Sequence, residues 1–156
     1  MKTKKINPEL SIRAEFWQQI MEHARREYPL ECCGILGGKK GEIQKVYPVK
    51  NAKQSPLAYQ ADPEEQFRAL QDIEASGWEI VAIYHSHPAS APYPSPRDVD
   101  QAFYPEALYL IVSLQDPKNP KFGVFSIQDG EIIEREIHIG SPNILGKTLP
   151  RFNNNN

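Results

Sequence analysis

The stretch YHSHPASAPYPSPRD, residues 84–98, decides how this chain is organised. It continues an apolar run, Glu79 to Tyr84, that predicts a buried strand, and His85 and His87 then alternate with Ser86. Alternate residues of a strand project from the same face, so both imidazoles are predicted to point the same way. A proline-rich loop with a restricted backbone leads back toward that face. The stretch therefore predicts a strand, a rigid loop and a helix start that converge on one point.

Three side chains of this stretch suit one metal ion. His85, His87 and Asp98 supply two imidazoles and a carboxylate, which fits a zinc site whose fourth position stays open for water. A structural zinc site closes that position with another side chain, typically a thiolate, but Cys32 and Cys33 are adjacent and far away in sequence. We therefore expect one Zn²⁺ per chain in a catalytic arrangement, in which the pKa of a bound water falls to about 7.

Each of these residues also has a simpler interpretation. A His-x-His triplet occurs by chance on strands that bind no metal. Ser95, Pro96 and Asp98 form an ordinary helix start, close to a capping box. Two histidines and one carboxylate also suit non-haem Fe(II) and oxygen chemistry. The occurrence of all these residues within one short segment favours the metal site, and these alternatives stay open.

Hydrophobic periodicity divides the rest of the chain into alternating helices and strands. The predicted helices are Ala14 to Glu27, one that starts at Asp62, Pro63 and Glu65 and buries Phe67, Leu70 and Ile73, and a short one from Ser95 to about Phe103. The predicted strands are Leu10 to Ile12, Cys32 to Gly37, Ile43 to Val49, Glu79 to Tyr84, Leu108 to Leu114, Phe122 to Ile127 and Glu131 to Ile139. The last strand alternates imperfectly, which predicts a position near a sheet edge. Lys50 to Ala61 shows no regular pattern.

Composition indicates one globular domain. The chain has 156 residues, 40% of them hydrophobic, and a net charge of −2, so we expect neither a nucleic-acid partner nor a membrane partner. No signal peptide or apolar span is evident, and we expect a cytoplasmic protein. The predicted division is an N-terminal arm at 1–9, a domain at 10–139 and a flexible C-terminal tail at 140–156. Cys32 and Cys33 are expected to be small core residues, and His23 is expected to be partly exposed.

The order of the motif residues resembles the JAMM, or MPN-plus, metalloprotease family, whose signature is an upstream Glu followed by HxHPx(6)SxxD. The match runs without a gap from His85 through Pro88 and Ser95 to Asp98, and the upstream Glu corresponds to Glu31 in YPLECCGILGG. The similarity extends from about Leu10 to Ile139 and includes YPEALYLIVSL, residues 104–114. It implies an α/β fold of the MPN/JAB, cytidine-deaminase-like type, with a mixed β-sheet flanked by helices.

The resemblance also implies roles for two further residues and a reaction. Glu31 would be the general base that deprotonates the attacking water and later protonates the leaving amine, and Ser95 would stabilise the oxyanion. Without the resemblance, we would expect Glu31 to be an ordinary surface acid at a strand end. The chain looks most like the small stand-alone prokaryotic members, which implies hydrolysis after the Gly-Gly terminus of a ubiquitin-like or sulfur carrier protein. A non-catalytic MPN scaffold is the alternative, and a homodimer is possible.

Overall fold

The computed structural model describes residues 9–140, a seven-stranded mixed sheet with three helices. The predicted arm and tail therefore lie almost wholly outside the described residues. The elements in chain order are β1 (Glu9–Ile12), α1 (Ala14–Glu27), β2 (Cys33–Lys39), β3 (Glu42–Val49), α2 (Pro63–Ala75), β4 (Glu79–His87), α3 (Pro96–Asp100), β5 (Leu108–Ser113), β6 (Lys121–Gln128) and β7 (Glu131–Ile139).

The sheet closes on itself in the order β1-β3-β2-β4-β5-β6-β7, because β1 pairs with both β3 and β7. The three pairs β1/β3, β1/β7 and β4/β5 are parallel, and the other pairs are antiparallel. Strand β4, which ends in the two motif histidines, lies between β2 and β5 in the middle of this order. The predicted α/β class with a mixed sheet and flanking helices is confirmed.

The two faces of the sheet carry separate apolar clusters. Helix α1 packs against one of them through Ile20 and Ala24, and helix α2 packs against the other through Ala69 and Ile73. Neighbouring residues of a strand point to opposite faces, so the adjacent cysteines Cys32 and Cys33 divide between the two clusters. Both cysteines are free and buried, as predicted for small core residues. The same alternation aims His85 and His87 together at one end of β4.

Two predictions about the helices and strands were wrong in detail. Phe67 is 60% exposed, because the buried stripe of α2 runs through Ala69 and Ile73, which are one helical turn apart, and Phe67 lies away from it. Strand β7 is not at an edge, because its residues Glu136 to Ile139 pair with β1. That pairing joins the two ends of the described chain, and a contact between such distant segments cannot be predicted from a local sequence pattern.

His23 is 4% exposed, so its predicted partial exposure was wrong. Its Nδ1 atom lies 2.8 Å from the hydroxyl oxygen of Tyr84, a bond that ties α1 to β4. The Tyr84 ring reaches α1 by crossing Gly34, where any side chain would collide with it. Among residues 9–140, no helix is both long enough and apolar enough to span a membrane.

Candidate metal centre

The structure brings His85, His87 and Asp98 together at the end of β4. His87 Nε2 lies 3.1 Å from His85 Nε2 and 3.0 Å from Asp98 Oδ2, and His85 Nε2 lies 3.2 Å from Asp98 Oδ2. All three side chains are buried, with exposed fractions of 1%, 4% and 8%. Two elements deliver them: β4 carries the histidines, and the first turn of α3 carries the aspartate.

The donor set of this triangle fits a divalent cation. The Nδ1 atom of His87 lies 2.8 Å from the carbonyl oxygen of Ala91, an acceptor that requires a proton on Nδ1 and leaves a lone pair on Nε2 of the neutral ring. Asp98 Oδ2 already accepts the backbone N–H of Ser95 at 2.9 Å and contributes a negative charge. Lone pairs that face one another at about 3 Å are satisfied by a shared cation, and nitrogen and oxygen ligands of this kind suit zinc.

The net effect of burial and neighbouring groups is to lower the pKa values of Asp98 and His85 and to raise that of His87. Burial alone would raise the pKa of Asp98, but hydrogen bonds and charges from both histidines hold it far below its usual range. Burial lowers the pKa of His85. Burial acts the same way on His87, yet Asp98, the Ala91 carbonyl and Glu31 together outweigh it and raise the pKa. The Asp98 carboxyl is therefore ionised at neutral pH.

Glu31 is buried beside this triangle, immediately before β2. Its exposed fraction is 4%, and its Oε1 atom has no hydrogen-bond partner among the described residues. Burial raises the pKa of Glu31 to about 7, Asp98 adds to the rise, and His87 and Arg97 oppose it. A carboxyl group with that pKa can both accept and return a proton near neutral pH. Without the family resemblance, Glu31 was expected to be an ordinary surface acid. That expectation was wrong, because Glu31 is buried.

Ser95 has the helix-capping role that its neighbours predicted. Its Oγ accepts the backbone N–H of Asp98 at 3.1 Å, and Asp98 Oδ2 accepts the backbone N–H of Ser95, which completes a capping box. The capping box therefore also fixes the Asp98 carboxylate. The hydroxyl proton of Ser95 is not used by the cap and remains available to donate.

Three residues that support the site were missed by sequence reasoning. The Tyr59 ring stacks on the His85 ring, with centroids 4.6 Å apart and planes at 28°. Ser86 exchanges two hydrogen bonds with Cys32, from Cys32 N–H to its Oγ at 2.8 Å and from its own N–H to the Cys32 carbonyl at 3.1 Å. Asn51 donates to the Glu31 carbonyl. Only Ser86 carried a local signal, its position between the two histidines.

A cavity of about 440 Å³ lies on the α2 side of the sheet, next to residues that contact His85. Cys33, the sheet partner of His85, and Tyr59 are among its lining residues. Gly34 also lines it, together with the largely exposed ring of Phe103. The lining thus includes two neighbours of His85 but none of the three triangle residues.

Comparison with known proteins points to one family. A family model described as prokaryotic homologs of the JAB domain matches residues 13–126. A CysO-cysteine peptidase of Mycobacterium tuberculosis is 37% identical over 132 residues, 83% of this chain and 90% of the relative. A desampylase of Haloferax volcanii is 40% identical over 111 residues, 67% of this chain and 80% of that relative.

A solved structure has a similar fold and a similar sequence. The solution structure of a protein from Desulfitobacterium hafniense has 35% sequence identity and a TM-score of 0.76, covering 85% of this chain and 93% of the other. The segment that the family model matches contains all five candidate site residues, which are Glu31, His85, His87, Ser95 and Asp98.

Proposed function

Because the chain belongs to the prokaryotic homologs of the JAB domain, as a small JAMM/MPN member, we propose that it is a zinc-dependent hydrolase of ubiquitin-like or sulfur carrier conjugates. The bond cleaved is a peptide or isopeptide bond after the carrier's C-terminal Gly-Gly. The observation that carries this proposal is the buried His85, His87 and Asp98 triangle together with the buried Glu31, whose Oε1 atom has no hydrogen-bond partner among residues 9–140.

Each residue has a distinct part in the proposed reaction. His85, His87 and Asp98 would hold the zinc ion, which when bound acidifies water and polarises a carbonyl group. Glu31 would take a proton from the attacking water and later give it to the leaving amine. Ser95 would donate its hydroxyl proton to the oxyanion that develops on the scissile carbonyl. The low exposure of Glu31 and of the three proposed metal ligands limits access of bulk water and strengthens their interactions.

Two features support a Gly-Gly tail as the segment that enters the site. The 440 Å³ cavity is lined by Tyr59 and Cys33, two neighbours of His85, and by the exposed Phe103, and glycines can follow a narrow path because they carry no side chain. The names of the two relatives, CysO-cysteine peptidase and desampylase, describe hydrolytic enzymes, and the first includes cysteine. A leaving group as small as a single amino acid is therefore part of the proposal.

The test is to measure metal content and hydrolysis on one sample. We expect about one zinc per chain by elemental analysis, and release of a single amino acid from a ubiquitin-like carrier extended beyond its Gly-Gly. The matched control substrate ends in Ala-Ala before the same amino acid. Loss of activity on chelation and its return with zinc would support the proposal. Iron in place of zinc, or a metal-free protein without activity, would contradict it and favour the oxygenase or the scaffold.

Replacing Ser95 with alanine is expected to have two separable effects. Loss of the cap should cost about 1 kcal/mol of unfolding free energy, seen as a lower melting temperature. Loss of the hydroxyl donor should lower kcat by about 10²-fold. Ser95→Thr is the control, because threonine keeps both the cap acceptor and the hydroxyl donor. A lower melting temperature with normal kcat in Ser95→Ala would reduce Ser95 to a helix cap.

A further inference from the structure

The segment that joins β3 to α2, residues 50–62, is irregular in sequence but tightly closed in the structure; we call it the β3–α2 loop. Two backbone hydrogen bonds cross it, from Ala52 N–H to the Gln60 carbonyl at 2.8 Å and from Asp62 N–H to the Lys50 carbonyl at 2.9 Å. Asn51 lies between these bonds, and its side chain points into the loop that they close. The loop therefore has a defined conformation centred on Asn51.

The side-chain amide of Asn51 is buried, 9% exposed, and makes four hydrogen bonds. Its Nδ2 donates to the carbonyls of Glu31 and Ala58, both at 3.0 Å. Its Oδ1 accepts the N–H groups of Lys53 and Gln60, also at 3.0 Å. Carbonyls only accept and backbone N–H groups only donate, so one orientation of the amide satisfies all four partners. No other neutral side chain of this size supplies two donors and two acceptors.

The loop holds the main chain of Glu31 at both of its polar groups. The Glu31 N–H donates to the Ser55 carbonyl at 2.9 Å, and the Glu31 carbonyl accepts from Asn51. Glu31 precedes β2, so its backbone is fixed by this loop and not by a strand ladder. The same loop carries Tyr59, whose ring stacks on His85. One loop thus contacts both the proposed base and a proposed metal ligand.

We propose that Asn51 is a positioning residue for the hydrolytic reaction, which holds the Glu31 main chain and the Tyr59 ring in the register that the site requires. This inference rests on the proposed function, because it assigns Asn51 a part in that reaction. The Glu31 carboxyl has no hydrogen bond of its own at Oε1, so the position of its main chain sets where it can reach. A displacement of about 1 Å at a reacting group costs on the order of 10²-fold in rate.

The test is Asn51→Asp, which keeps the size of the side chain and removes both donors. In single-turnover hydrolysis of the extended carrier, we expect the rate per zinc-loaded molecule to fall about 10²-fold. Zinc content and KM should be unchanged, since the change alters neither the proposed metal ligands nor the lining of the 440 Å³ cavity. Asn119→Asp is the matched control, because the Asn119 amide is exposed and, within the described part of the chain, bonds to Asp116 in a surface turn. The control should keep the wild-type rate.

Two further readouts separate positioning from general destabilisation. In the Glu31→Gln background, Asn51→Asp should cause little additional loss of rate if Asn51 acts through Glu31, whereas independent effects would multiply. In the metal-free protein, Asn51→Asp should speed amide hydrogen exchange at Glu31, whose N–H bonds to Ser55 of the loop, with exchange at Ile35 in β2 unchanged. If Asn51→Asp does not fold, Asn51→Ser, which keeps one donor, carries the same tests.

A wild-type rate in the folded Asn51 variant, or losses that multiply with those of Glu31→Gln, would overturn the inference. Failure of wild type to hydrolyse any extended carrier would instead refute the proposed function. In that case the exchange measurement decides whether Asn51 holds the Glu31 main chain: unchanged exchange in the variant would overturn the inference as well.

Discussion

Replacing Glu31 with glutamine is expected to slow hydrolysis by about 10²–10⁴-fold, the usual contribution of a general acid–base, while zinc content stays near one per chain. Glutamine has nearly the same shape but cannot accept and return the proton. The metal ligands are other residues, so the metal should remain. The measurement is kcat/KM with elemental analysis on the same sample. Glu27→Gln is the matched control, because Glu27 lies at the end of α1 and its carboxylate pairs with Arg26 at 3.8 Å.

The pH dependence gives a second view of Glu31. Burial raises its pKa to about 7, and a bound cation would favour the carboxylate, so the acid limb of wild-type kcat/KM is expected at or below pH 7.

The stability of the metal-free protein is expected to depend on pH in the opposite direction. A carboxyl whose pKa is raised in the folded state favours folding when protonated, and this contribution is lost as pH rises through about 7. Metal-free Glu31→Gln should therefore melt higher than metal-free wild type at pH 8, with little difference at pH 4. Normal turnover by Glu31→Gln would refute its role as base.

Replacing His87 with alanine is expected to remove the metal and the activity together. The change deletes one of three converging ligand atoms and leaves His85 and Asp98 alone. Loss of a ligand should weaken binding by more than the roughly 10–100-fold that loss of an outer-shell partner costs. Dialysed His87→Ala should then contain little zinc, and its hydrolysis should fall below detection. Elemental analysis and the carrier assay measure both on one preparation.

The matched control for His87→Ala is His138→Ala. His138 lies 3.2 Å from Glu9 and 3.8 Å from Glu136 on the surface, the other described group whose ligand atoms converge. We expect this variant to keep one zinc and full activity. Equal zinc in wild type and His87→Ala would show that the buried triangle does not hold the metal.

Local sequence patterns were sufficient wherever spacing alone determines geometry. The alternation His85, Ser86, His87 on a strand placed both imidazoles on one face, and the cap at Asp62 with Pro63 placed the start of α2. The Ser95 and Asp98 spacing predicted the capping box that fixes the ligand carboxylate. In each case the contacting residues lie within four positions of one another, so sequence distance is a good guide to spatial distance.

Contacts between distant segments could not be predicted in the same way. The closure of the sheet through β1 and β7, the bond from His23 to Tyr84 and the stacking of Tyr59 on His85 join residues far apart in sequence. The role of Glu31 entered only through the family resemblance. Nothing in YPLECCGILGG reports that its carboxyl is buried, because burial depends on the segments that cover it.

The sequence by itself determined the fold class, the helix and strand order and the three side chains that can share a cation, since periodicity and spacing encode these directly. Only the tertiary structure decided which residues support them. Asn51 lies in a segment without a pattern, yet one of its four hydrogen bonds goes to the Glu31 carbonyl and the other three fix the loop around it. A buried amide is satisfied only by partners that the finished fold brings to it, so its function is set by packing and not by its neighbours in the chain.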